Sequence, residues 1–131
     1  MPRTVLVVED QAICSCAVEL VLSHRDDLSV LTAVTAEQAW DILSGNAHGI
    51  CALVTDLHLP GMDGFELIEK VRADGRLKDL PIVVITGSTD PAAPGRSRTL
   101  GADAFFTKPY SPARLREKLE QLLDHDWHSP K

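Results

Sequence analysis

The sequence predicts an α/β domain in which a parallel sheet carries helices on both faces. Three observations point that way. Short apolar runs recur five times, the pattern of strands buried on both sides. Between them the apolar period changes to that of an amphipathic helix, so strand and helix alternate along the chain. The connections are also short, and such alternation implies parallel strands joined by right-handed crossovers. At 131 residues the chain has the length of one domain, enough to bury about two-thirds of its unfolded surface.

Val5-Leu6-Val7-Val8 is the first strand and ends in two adjacent carboxylates, Glu9 and Asp10. From Gln11 the period changes: Ile13, Cys14, Ala17, Val18, Val21 and Leu22 fall on one helix face, and a polar cluster over 23–27 stops it. Residues 28–34 form the second strand, with the least regular alternation. A second helix opens at Thr35 or Ala36, turns Ala36, Ala39, Trp40 and Leu43 inward, and ends at Ser44-Gly45-Asn46. The third strand, 50–55, leads into Asp56. Asp63 can cap a third helix, with Phe65, Ile68 and Val71 inward, Leu67 on the flank and Asp74-Gly75 as its stop. Residues 81–85 form the fourth strand and run into Thr86-Gly87-Ser88.

Asp90-Pro91 has the form of a cap and first helical residue. Pro94 and Gly95 follow, and they cost about 3 and 1 kcal/mol in a helix interior, so the fourth helix is expected to be short and frayed. The fifth strand, 104–107, closes in Lys108-Pro109. Ser111-Pro112 caps a last helix with Leu115, Leu119, Leu122 and Leu123 inward. The domain is thus expected over 1–124, with a tail over 125–131.

Hydrophobic content of 44% with 24% charged residues is that of a soluble globular fold. A net charge of −6 with no basic stripe argues against direct nucleic-acid binding, and it suits carboxylates gathered around a cation. Cys14, Cys16 and Cys51 show no metal-ligand spacing and read as small buried hydrophobes in a reducing compartment. No apolar run approaches the ~18 residues of a membrane span. Met1-Pro2-Arg3 leads into a strand without a signal-peptide core. The expected location is therefore cytoplasmic, with no membrane partner.

Four of the five strand ends carry polar groups: Glu9-Asp10, Asp56, Thr86 and Lys108. A parallel sheet brings these ends to one edge. Three carboxylates cannot crowd together while ionised unless a cation offsets their repulsion. A hard divalent ion held by carboxylates, water and phosphate describes magnesium. Lys108 adds a positive charge and Thr86 a hydroxyl. Together these groups suit a phosphoryl group.

Val-Val-Glu9-Asp10, Asp56-Leu-His-Leu-Pro60-Gly-Met-Asp-Gly64, Ile-Thr86-Gly and Gly101-Ala-Asp-Ala-Phe-Phe-Thr-Lys108-Pro109 stand in this order along the chain. Together they resemble the motifs of response-regulator receiver domains, the phosphoacceptor modules of two-component signalling that include the chemotaxis regulators. The resemblance spans about residues 4–124. It implies a flavodoxin-like doubly wound (βα)5 fold with strand order 2-1-3-4-5. It also implies that Asp56 accepts phosphate as an acyl phosphate, with Mg2+ (or Mn2+) at the site. Asp10 would be a direct metal ligand and Glu9 would act through water, beside Asp56 and the backbone carbonyl of His58. Thr86 and Lys108 match the hydroxyl and the ammonium that meet the phosphoryl group.

Phe105 falls at the family's aromatic switch position, with a plain core role as the alternative; the two phenylalanines should alternate, one into the core and one out. Phenylalanine lacks the hydroxyl of the tyrosine often found there. Pro109 stands where receivers usually have a cis peptide bond. His58 and Ser88 border the site and are read as tuning phosphoryl lifetime by steering water. The implied donor is a sensor histidine kinase or a histidine phosphotransfer protein. An output partner would bind the face of the fourth helix, fifth strand and fifth helix. The chain is then a phosphoacceptor module that promotes its own phosphorylation and dephosphorylation, not an enzyme with a separate substrate.

Two other classes share parts of this pattern. Aspartate-nucleophile phosphohydrolases of the haloacid-dehalogenase type also use a strand-end Asp, but they need a second acid two residues later, where this chain has His58. A nucleotide-binding flavodoxin-like or Rossmann domain wants a glycine-rich first turn, where this chain has Glu9-Asp10-Gln11. Away from the site, Arg96 and Arg98 read as solvated surface, Trp40 as core, and Trp127 as a linker residue or a packing anchor.

Overall fold

The structure is a computed structural model that describes residues 3–9, 20, 22, 28–45, 49–59, 61–87, 90–108 and 110–128. Five strands, β1 (Arg3–Val8), β2 (Leu28–Ala33), β3 (Ile50–Thr55), β4 (Ile82–Thr86) and β5 (Ala104–Thr107), form one sheet in the order β2-β1-β3-β4-β5. Every neighbouring pair is parallel. Helices span Ala36–Gly45, Gly64–Ala73, Ala93–Leu100 and Pro112–His128. The helix expected from Gln11 lies largely outside the described residues. Of the two that are described, Leu22 is buried, as its expected face requires, and Leu20, off that face, is exposed.

Alternation along each strand feeds two cores. Leu6, Val8, Leu53, Ile82 and Val84 pack with the apolar faces of the Ala36–Gly45, Gly64–Ala73 and Ala93–Leu100 helices. Val5, Val7, Ala52, Val54, Val83 and Ile85 pack with Leu22, Leu115, Leu119 and Leu123 on the other side. Both faces of the sheet are therefore covered, which is why the strands read as continuous apolar runs. The doubly wound architecture expected from the sequence is the one observed.

The Gly64–Ala73 helix starts on a capping box. The Asp63 side chain accepts the Glu66 N–H at 2.9 Å, and Glu66 Oε1 accepts the Asp63 N–H at 3.5 Å. Leu67, expected on the flank, is fully buried beside Phe65, Ile68 and Val71. The helix touches the Ala36–Gly45 and Ala93–Leu100 helices on its two sides, so its flank is core as well. Trp40 is only half-buried, with the Lys70 ammonium 5.4 Å from its ring centroid.

The Ala93–Leu100 helix departs from expectation in its start. Asp90 does not cap it: Asp90 Oδ1 accepts the Ala92 N–H at 2.9 Å in a turn ahead of the helix, and Ala92 occupies the cap position without a side-chain bond. Pro94 and Gly95 then fall in the first turn, where backbone N–H groups have no intrahelical acceptor anyway. The interior penalty does not apply there. Gly101, at φ 113°, ends the helix and donates its N–H to the Ser97 and Arg98 carbonyls. Arg96 is not simply solvated, because its guanidinium lies 3.9 Å from the Phe65 ring centroid.

At the amino ends of β4 and β5, Arg72 donates to the carbonyls of Gly101, Lys78 and Leu80 and to Asp103 Oδ2. Asp103 Oδ2 also accepts the Ile82 N–H at 2.9 Å. The last helix, which buries Leu115, Leu119 and Leu123, runs through His128 and so takes in the first residues of the expected tail. Leu122 is half-buried, and the side chain of Trp127 lies outside the described residues.

Candidate functional site

Each charged group of the site is the first residue past a strand, and each is held by one further rung of the parallel ladder. The Glu9 N–H donates to the Ala33 carbonyl at 2.9 Å, the Asp56 N–H to Val8 at 3.1 Å, and the Lys108 N–H to Thr86 at 2.7 Å. Their positions along the strand axis are thus fixed by the backbone. The sheet order turns back at β1, between β2 and β3, and in open α/β sheets ligands bind at such a reversal beyond the carboxyl ends of the strands. Glu9 and Asp56 flank that point.

The side chains converge there. Lys108 Nζ donates to Glu9 Oε1 at 2.6 Å and to Asp56 Oδ2 at 2.9 Å. Glu9 and Asp56 are buried, at 2% and 5% exposure, so this ammonium is a major counter-charge to both. Burial works against the lysine charge, but the hydrogen bonds and charges of Glu9 and Asp56 outweigh it and hold Lys108 well above the ordinary lysine value. The His58 N–H donates to Asp56 Oδ1 at 3.1 Å, closing a turn on the carboxylate, while the His58 side chain is exposed. Thr86 ends β4 fully buried.

Asp10 and Ser88, expected at the site, lie outside the described residues, as do Pro60 and Pro109. Among the described residues no three His, Cys, Asp or Glu side chains form a cation cluster. Phe105 is not drawn to the carboxylates. It is half-buried against the core under the Ala93–Leu100 helix, while Phe106 packs on the opposite core. Neither ring points out: β5 is an edge strand, but both of its faces are partly covered.

Three contributors carried little or no signal in the sequence. A Cβ on Gly64 would collide with the Asp56 carbonyl oxygen and lie 2.8 Å from Leu57 Cα, so glycine lets the helix start against the backbone of the site. The Thr55 hydroxyl donates to the Asp56 carbonyl at 2.8 Å. Glu37 Oε2 accepts the Met62 N–H at 3.0 Å and ties the loop after Asp56 to the Ala36–Gly45 helix. A glycine at a helix start was the one visible hint.

Comparison with known proteins bears on this arrangement. The family model for the response regulator receiver domain matches residues 5–120. The chain belongs to that family. The receiver is 36% identical over 118 residues to chemotaxis protein CheY1 of Helicobacter pylori, covering 90% of this chain and 94% of that one. It is 34% identical over 118 residues to a CheY homolog of Campylobacter jejuni, with 90% of each chain covered. Among solved structures, a response regulator receiver protein from Pseudomonas putida superposes with a TM-score of 0.82 at 30% identity, covering 92% of this receiver and 98% of that chain. The receiver is thus a signal-transduction module of the two-component class, similar to the chemotaxis regulators.

Proposed function

We propose that this receiver takes a phosphoryl group on Asp56 from the phosphohistidine of a sensor histidine kinase or a histidine phosphotransfer protein. The observation that carries the reading is the sharing of Lys108 Nζ between Glu9 and Asp56 at the sheet reversal. An Asp56 carboxylate oxygen attacks phosphorus, the P–N bond to the donor imidazole breaks with its electron pair left on nitrogen, and an acyl phosphate forms. Lys108 turns an N–H from the carboxylate to a phosphoryl oxygen, and the Thr86 hydroxyl supplies a second donor. Water later attacks phosphorus, the P–O bond to Asp56 breaks, and inorganic phosphate and the free carboxylate are released.

The donor set fits a hard divalent ion, because two buried carboxylates converge within reach of one cation. Asp10, Asp56 and the His58 backbone carbonyl would hold Mg2+ (or Mn2+) directly and Glu9 through water. When bound, the metal supplies positive charge against the phosphoryl oxygens. His58 and Ser88, at the border of the site, set the lifetime of the acyl phosphate by steering water.

The phosphoryl charge draws in Thr86, Phe105 repacks, and the equilibrium between two surface states shifts. The surface concerned is formed by the Ala93–Leu100 helix, β5 and the Pro112–His128 helix, and the domain acts in the cytoplasm. The test is incubation with a small phosphodonor and magnesium. A hydroxylamine-labile adduct is expected in the wild type and not in Asp56→Asn or after chelation. No adduct with any donor refutes the reading.

A further inference from the structure

The loop that follows Asp56 leaves the strand end and returns to it, because the Gly64 N–H donates to the Leu57 carbonyl at 3.0 Å. Its two limbs are held differently. On the first, Leu57 and Leu59 are buried, and between them the His58 N–H donates to Asp56 Oδ1 at 3.1 Å. On the second, Met62 packs at the margin of the core, and its N–H has one acceptor among the described residues, Glu37 Oε2 at 3.0 Å. Without that bond Gly61 and Met62 would have no polar tie to the Ala36–Gly45 helix.

The start of that helix sets Glu37 in place. The Gln38 N–H donates to Thr35 Oγ1 at 3.0 Å, and Gln38 Oε1 accepts the Val34 N–H at 2.8 Å, so the first turn is pinned by reciprocal side-chain bonds. The residue ahead of it is pinned as well, since the Ala33 carbonyl accepts the Glu9 N–H at 2.9 Å. Gly61 closes on the same carboxylate. It stands at φ 76°, a left-handed conformation that favours glycine, and a Cβ there would lie 2.6 Å from Glu37 Oε2. Glu37 itself is exposed, a setting in which substitutions ordinarily change global stability little.

The Asp56 carboxylate is oriented from two sides, Oδ1 by the His58 N–H and Oδ2 by Lys108 Nζ. We propose that Glu37 is a positioning residue for Asp56. By holding the Met62 N–H it keeps the loop closed, Leu59 stays seated, and the His58 N–H stays on Oδ1, which fixes the plane in which the carboxylate meets its reaction partner. The consequence for phosphoryl transfer rests on the phosphoacceptor reading of Asp56. The hold on the loop does not, so the two can fail separately.

The experiment follows amide hydrogen exchange by NMR in the isotope-labelled, unphosphorylated full chain and in its Glu37→Ala and Glu37→Gln variants. Each protein is then incubated with acetyl phosphate and magnesium. In Glu37→Ala the Met62 and His58 amides should both exchange about tenfold faster, the loss expected of one charge-assisted hydrogen bond. Glu37→Gln keeps an acceptor oxygen and should restore most of the protection at both positions. The melting temperature should move by less than about 4 °C in either variant, and the adduct should form several-fold more slowly in Glu37→Ala alone. Faster exchange at Met62 with His58 unchanged, equal exchange in the two variants, a larger fall in melting temperature, or an unchanged rate of adduct formation each overturns the proposal. No adduct in any of the three proteins counts against the phosphoacceptor reading instead, and the two amides then decide whether Glu37 holds the loop.

Discussion

Lys108 offsets part of the charge of two buried carboxylates, and its removal is the most informative single change at the site. Truncating one partner of a buried ionic set leaves uncompensated charge, so Lys108→Met should lower stability by about 3 kcal/mol in metal-free buffer. Added magnesium should restore part of that loss, as read in thermal melts. The pH dependence has a definite sign. Folding raises the lysine above its ordinary value of 10.5, so its contribution is complete below that pH and is lost as pH climbs through the raised value. The stability gap between wild type and Lys108→Met should stay level from neutrality to about pH 10 and then narrow. Gly64→Ala should cost about 2 kcal/mol in urea denaturation, because its methyl group meets the backbone at Asp56 and Leu57. Dephosphorylation rates unchanged in both His58→Ala and Ser88→Ala would remove these residues from any control of lifetime. Asp56, Glu9 and Lys108 were legible because each closes an apolar run. The close approach at Gly64 was not, since it depends on where the helix docks.

Among the elements, the Ala93–Leu100 helix differs most from its reading in the sequence, and the difference comes from its start. With the helix beginning at Ala93, Pro94 and Gly95 stand in the first turn, and their cost as interior residues disappears. The helix is held from outside, by Arg96 on Phe65 and by Arg72 on the Gly101 carbonyl at its end. Arg72→Ala should therefore lower stability by about 2 kcal/mol through lost charge-assisted hydrogen bonds to the part-buried Gly101 and Leu80 carbonyls. It should also speed amide exchange over residues 96–101 more than over the Pro112–His128 helix. In the wild type the Ala93–Leu100 helix should still exchange faster than Pro112–His128, being eight residues against seventeen and lacking a side-chain cap. Equal protection of the two would contradict an output face that a partner can reshape. Contacts such as Arg72 to Gly101 join residues 29 apart in sequence, and periodicity carries no record of them.

At the scale of the whole molecule, the alternation of runs was enough to specify parallel strands and two covered faces, because each strand must supply both cores. It could not specify strand order, which local pattern does not encode; the order came from resemblance and is the one observed. The reversal of that order lies at β1, and Asp56 there has neighbours from the ends of β1 and β5. In the proposed function, this edge holds a phosphoryl group on one carboxylate. Incubation with a small phosphodonor and magnesium, borohydride trapping and peptide mapping test it most directly. Reductive conversion confined to position 56 is the predicted result, and conversion elsewhere, or none, would contradict it.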